Sequence, residues 1–73
     1  MTRRYLATIT PDRFGFMLAL TDAGATVRTA RGIPDPESAA DLAVVFAEED
    51  TVYQGGMVDS YRVQVVIRGA LAA

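Results

Sequence analysis

The sequence predicts a single α+β domain spanning residues 1–73: an antiparallel four-stranded sheet with one helix on one face, in the order β-β-β-α-β. Three observations predict it. Apolar and polar residues alternate over separate stretches near both ends of the chain, which is the period of a half-buried strand. One stretch beginning at Pro36 carries the 3.6-residue period of a helix instead. Short turns separate the first three strand stretches, and turns that short join antiparallel neighbours.

Arg3 to Thr10 alternates cleanly, with Tyr5, Ala7 and Ile9 on one face and Arg4, Thr8 and Thr10 on the other; Leu6 breaks the pattern. Pro11-Asp12-Arg13 reads as a turn, with Pro at its first central position. Phe14 to Thr21 follows, with Phe14, Phe16, Leu18 and Leu20 on one side and Gly15, Met17 and Ala19 on the other. So little polar surface marks a strand central in its sheet or covered on both faces. Asp22-Ala23-Gly24 is the next turn, with Gly free to take positive φ. Ala25 to Arg31 is the third strand, with Ala25 and Val27 on one face and Thr26, Arg28 and Ala30 on the other.

The helix has the clearest start signal in the chain. Asp35 suits the N-cap because its carboxylate can accept from the free N–H groups of the first turn. Pro36 follows at the position where a missing N–H costs nothing, and Glu37 faces the positive end of the dipole. Ala39, Leu42, Ala43 and Phe46 then recur at i, i+3, i+4, i+7, and Val45 widens the stripe. Glu48, Glu49 and Asp50 are expected to close the helix, at the end where cations would be preferred. Residues 51–60 read as a loop around Gly55-Gly56 and Asp59-Ser60, with Val52 and Tyr53 as a short extension. Tyr61 to Arg68 is the last strand, with Tyr61, Val63, Val65 and Ile67 inward, and residues 69–73 are expected to fray.

Composition narrows the function classes. There is no Cys and no His, so disulfides, thiol chemistry and the usual zinc sites are excluded. Lys is absent too, and nucleophilic catalysis needs an activated nucleophile with a base beside it. Asp12, Asp22 and Asp59 sit in turns, where Asp is expected for local hydrogen bonding. The sequence therefore points to no catalytic residue, no metal and no cofactor. No apolar run approaches the roughly 18 residues of a membrane span. Met-Thr-Arg-Arg-Tyr leads into a strand pattern rather than a signal peptide, so the cytoplasm is the expected compartment.

A net charge of −2 hides an asymmetry. Residues 1–34 carry five Arg and two acids, whereas residues 35–73 carry two Arg and seven acids. With one helix on one face, the second sheet face is expected to carry Arg4, Arg28, Arg62 and Arg68 around apolar Leu6, Met17, Ala19, Ala30 and Val66. Such a face resembles an interface more than a plain solvated one. Two partner-binding surfaces follow as expectations: the acidic group Glu48, Glu49 and Asp50 against a basic protein, and the arginine-bearing face for a second contact or a homodimer. Acidic balance, absence of Lys and few exposed aromatics argue against direct nucleic-acid binding.

Two family resemblances bear on this. Tyr5-x-Ala7-x-Ile9, then Asp12, Gly15-Phe16, Asp22 and Gly24-Ala25-Thr26, resembles the N-terminal domain of HicB-type antitoxins over residues 5–47. That resemblance implies a degenerate RNase H-like layout and a small RNA-cleaving toxin as partner. Thr29-Ala30-Arg31-Gly32-Ile33-Pro34-Asp35-Pro36, running into an Ala-rich helix, is similar to small phage and mobile-element proteins, among them anti-CRISPR inhibitors of type I interference complexes. This second resemblance implies a non-enzymatic inhibitor that blocks a surface. A homo-oligomeric structural protein is the third expectation.

Overall fold

The computed structural model describes residues 2–56 and 61–69. Its elements are β1 (Arg3–Asp12), β2 (Gly15–Asp22), β3 (Ala25–Ile33), α1 (Pro36–Tyr53) and β4 (Tyr61–Ile67). The expected element order is the observed one. The sheet order is β3-β2-β1-β4, with β2 central as its apolar faces require. The expected loop at Met57, Val58, Asp59 and Ser60, and the tail beyond Gly69, lie outside the described residues.

The sheet is mixed, not antiparallel. β1 pairs with β2 and β2 with β3 antiparallel, but β1 pairs with β4 parallel, from Arg3↔Tyr61 to Ile9↔Ile67. Two hairpins reverse the chain twice, so β3 runs the same way as β1. The helix then returns the chain to the starting end, and β4 repeats that direction, as in any strand–helix–strand crossover. Pro11, expected in a turn, lies within β1 opposite Phe16. The N–H it lacks falls on the β4 side just past Ile9, so the parallel ladder stops there.

Both hairpin turns depart from simple expectation. Asp12 holds the first by accepting the Phe14 N–H at 2.8 Å, which leaves Phe14 in the turn and 78% exposed rather than in the core. In the second, Ala23 and Gly24 both have positive φ, 52° and 85°, the pattern of a type I′ turn. Alanine is strained there. Replacing Ala23 with asparagine is expected to stabilise the domain by about 0.5–1 kcal/mol, read from the urea midpoint.

Asp35 caps the helix as its position implies, accepting the Ser38 N–H at 2.7 Å with Pro36 in the first turn. The helix does not end at Asp50. It runs to Tyr53 and closes with Gly55 at φ 86°, where Gly55 N–H bonds Val52 O and Gly56 N–H bonds Thr51 O. These two bonds form a Schellman motif, so the acids lie a turn earlier than expected. The buried face is also rotated. Ala39, Ala43, Ala47 and Thr51 are fully buried at i+4 spacing, while Leu42 and Phe46 flank them half-buried and Val45 is 48% exposed. Small side chains let the helix axis sit close to the sheet, where a leucine at the same positions would hold it away. Beneath that alanine seam lie Tyr5, Ala7, Ile9, Leu18, Leu20 and Ile33.

Candidate functional site

The arginines divide into those with an acidic partner inside the domain and those without. Arg3 pairs with Asp22 at 2.8 Å, Arg28 with Glu49 at 2.9 Å, and Arg31 approaches Asp12 at 3.8 Å. Arg4, Arg13, Arg62 and Arg68 have no ion pair among the described residues.

Arg28 was expected on the open face and lies on the helix side instead. The register between β2 and β3 slips between Leu20 and Thr21, so Val27 and Arg28 together oppose a single step of β2. Such a bulge turns the next side chain to the other face. Arg28 thus stacks over the Phe46 ring at 4.4 Å while bonding Glu49, covering the flank of the helix. The same slip carries Ala30 to the core side opposite Leu18, and a second slip opposite Met17 brings Ile33 there as well.

Two of the three acids have partners inside the domain, one at the surface and one against the core. Glu49 is held by Arg28, and Asp50 Oδ2 accepts the Tyr5 hydroxyl at 2.7 Å. Thr51 Oγ1 lies 3.1 Å from the same hydroxyl and donates to it, since the tyrosine proton goes to the carboxylate. Only Glu48 of the three is without a hydrogen-bond or ion-pair partner among the described residues; with Glu49 it borders a shallow depression also lined by Val45, Val52 and Tyr53. The Tyr5–Asp50–Thr51 group pins the last turn of α1 to β1. Nothing in the local sequence pattern announced it, because the partners lie 45 and 46 residues apart.

Burial raises the Tyr5 pKa above its ordinary 10.0; the Asp50 hydrogen bond and charge add to this, while Thr51 and Arg3 oppose it. The folded state thus holds the phenol proton more tightly than the unfolded chain. The stabilisation is complete below pH 10.0 and is lost as pH climbs above it toward the raised folded value. Tyr5→Phe is expected to cost about 1–2 kcal/mol at neutral pH and to flatten the alkaline decline, measured by urea titrations from neutral pH upward.

The open face of the sheet is the second candidate surface. Alternation places Arg4, Leu6, Thr8 and Thr10 of β1 there, opposite Tyr5, Ala7 and Ile9. Met17, Ala19 and Thr21 of β2 join them, with Thr26 and Thr29 of β3 and Arg62, Gln64 and Val66 of β4. Arg68 continues the same alternation, its N–H bonded to Ile9 O. Leu6 is 36% exposed at the centre. Arg4 and Arg62 are direct cross-strand partners beside a shallow cleft that Gln64 also lines. Like charges in that position repel. Among the described residues, no helix or loop covers this face, the strand aromatics Tyr5, Phe16 and Tyr61 all lie on the opposite, core side, and no group of acids stands together to hold a metal ion. Comparison with protein-family models, curated proteins and solved structures gives no match.

Proposed function

We propose that this chain is a non-enzymatic protein-binding inhibitor that acts by occupying the surface of a larger partner, with the open sheet face as its contact. The observation that carries this reading is the Arg4–Arg62 pair, two like charges in register on an uncovered face, with apolar Leu6 next along β1 and Val66 and Met17 farther along the same face. An acidic protein surface would relieve the repulsion while burying the apolar centre, the composition of an interface core with a charged rim. Single-stranded nucleic acid fits less well, since bases need aromatic platforms and the strand aromatics Tyr5, Phe16 and Tyr61 face the core. The non-enzymatic reading is supported by the local duties of the turn and cap acids: Asp12 holds a turn, Asp22 holds Arg3 and Asp35 caps the helix. The alternative acidic contact expected at Glu48, Glu49 and Asp50 would use Glu48 and the exposed Glu49 beside Val45, Val52 and Tyr53, with Asp50 engaged by Tyr5.

The specific form suggested by the sequence resemblance is a phage or mobile-element protein that blocks a type I interference complex. Its test is target-DNA binding by such a purified complex, titrated with the chain. Loss of binding at stoichiometric inhibitor supports that form, and undiminished binding at large excess rejects it. The antitoxin-like reading is favoured by one observation, a β4 edge to which a small toxin could add a strand. Co-purification with a small RNase and suppression of its cleavage would select that reading instead.

A further inference from the structure

The two edges of the sheet are built differently. β3 is blunted: its pairing with β2 slips twice, Gly32 sits at φ 68°, and Arg28 and Arg31 project from it. Irregularities and charges of this kind discourage strand addition. β4 has no such irregularity and less charge. Its register with β1 is unbroken from Tyr61 to Ile67, it contains no Pro or Gly, and Arg62 is its one charge.

β4 also carries apolar surface that its own helix leaves uncovered. Val65 and Ile67 point toward the helix side, yet they are 41% and 55% exposed. Val44, 42% exposed, lies on the flank of α1 away from Phe46 and Arg28, and therefore on the β4 side.

The hydrogen-bond phase of the edge fixes which pairing would satisfy it. Arg68 N–H bonds Ile9 O, so the even-numbered residues of β4 turn their backbone groups toward β1. By alternation, Tyr61, Val63, Val65 and Ile67 turn theirs outward. An antiparallel copy of β4 centred on Gln64 sets Tyr61 against Ile67 and Val63 against Val65, so every outward N–H and carbonyl meets one of its own kind of partner. On the helix side these are apolar pairs throughout. On the open side Gln64 meets Gln64, and Arg62 meets Val66. The two Arg62 side chains are then held about 14 Å apart, beyond a Debye length of about 8 Å. The strand is self-complementary in backbone phase, side-chain type and charge.

We propose that β4 pairs antiparallel with β4 of a second copy, centred on Gln64, to give a two-fold dimer with one continuous eight-stranded sheet and both helices on the same side. The edge is about 24 Å long, and sheet plus helix layers stand about 20 Å high, which gives roughly 500 Å² in flat projection. That places the dimer near the small end of stable interfaces, with micromolar dissociation. Both open faces remain free in it.

The test uses the full chain and two substitutions. Light scattering across a concentration series is expected to show the mass doubling through the micromolar range. Val65→Pro removes an outward N–H without touching the β1 ladder, and is expected to keep the circular dichroism spectrum while holding the chain monomeric. Gln64→Cys carries the test even where the proline variant folds poorly. The chain has no cysteine, and a residue on the two-fold would meet its own copy at a Cα separation of about 4.5 Å, within disulfide reach. Rapid oxidation to a covalent dimer is expected for Gln64→Cys and not for Thr29→Cys on the β3 edge. A chain that stays monomeric at millimolar concentration, or equal cross-linking of the two cysteine variants, would overturn the proposal.

Discussion

Replacing Gly15 with alanine is expected to remove at least about 3 kcal/mol of stability, because two separate penalties fall on one added atom. Gly15 has φ 134°, where side-chain-bearing residues rarely sit. The added Cβ would also stand 2.3 Å from the Ile33 carbonyl oxygen. That oxygen is main chain and cannot rotate away, so β2 and β3 must separate where Phe16 pairs with Ile33, a core residue. A domain of this length holds roughly 4–11 kcal/mol in total, so the loss is a large fraction of it. Gly24→Ala is the control: φ is 85° but nothing lies within 4 Å of its Cβ, leaving backbone strain alone, about 1–2 kcal/mol. Urea midpoints of the two variants separate strain from collision. Equal midpoints would show that β3 gives way without cost.

Ala43→Leu is expected to cost about 2–3 kcal/mol and to lower the melting temperature by roughly 8–24 °C. Ala39, Ala43 and Ala47 are all 0% exposed, so a larger side chain at the middle of that seam must lift the helix off Ala7, Leu18 and Leu20. Lifting it would also stretch the Tyr5 hydroxyl away from Asp50 and Thr51. Val45→Leu, on the solvent side of the same helix, is expected to change stability by no more than about 0.5 kcal/mol. Calorimetric melting of both variants checks the rotation of the helix face directly. Comparable losses at the two positions would contradict it.

That rotation shows what can and cannot be read from this chain. Asp35-Pro36 announces the helix start because capping is local chemistry, and Tyr5, Ala7 and Ile9 announce a strand face because the alternation runs unbroken. The helix face was harder, since hydrophobicity alone favours Leu42, Val45 and Phe46 over alanine. Close packing inverts that order: the smallest residues take the centre and the larger ones flank it or stay outside. The parallel placement of β4 depends on which edge the crossover reaches, and no short segment encodes that. Of the surface residues, Arg4, Arg62 and Arg68 stand where alternation puts them. Arg28 does not, because a bulge with no distinctive local signature shifts its strand by one residue. The engagement of Glu49 and Asp50 rests on contacts across 21 and 45 residues. Periodicity cannot see them.

The open sheet face, and not the acidic end of the helix, is the proposed contact for a partner. Two charge-reversal variants, one on each surface, decide it. Arg4→Glu with Arg62→Glu replaces one in-register like pair with another, so stability should be nearly unchanged while the face reverses sign. Glu48→Arg reverses the one acid of its group without a hydrogen-bond or ion-pair partner among the described residues. Both are to be compared with the unaltered chain for binding to one purified partner by calorimetry, after matching circular dichroism spectra establish folding. The arginine reversal is expected to weaken binding at least about a hundredfold and Glu48→Arg to leave it within a few-fold. Retained binding in the arginine variant, or its loss in Glu48→Arg alone, would contradict the assignment.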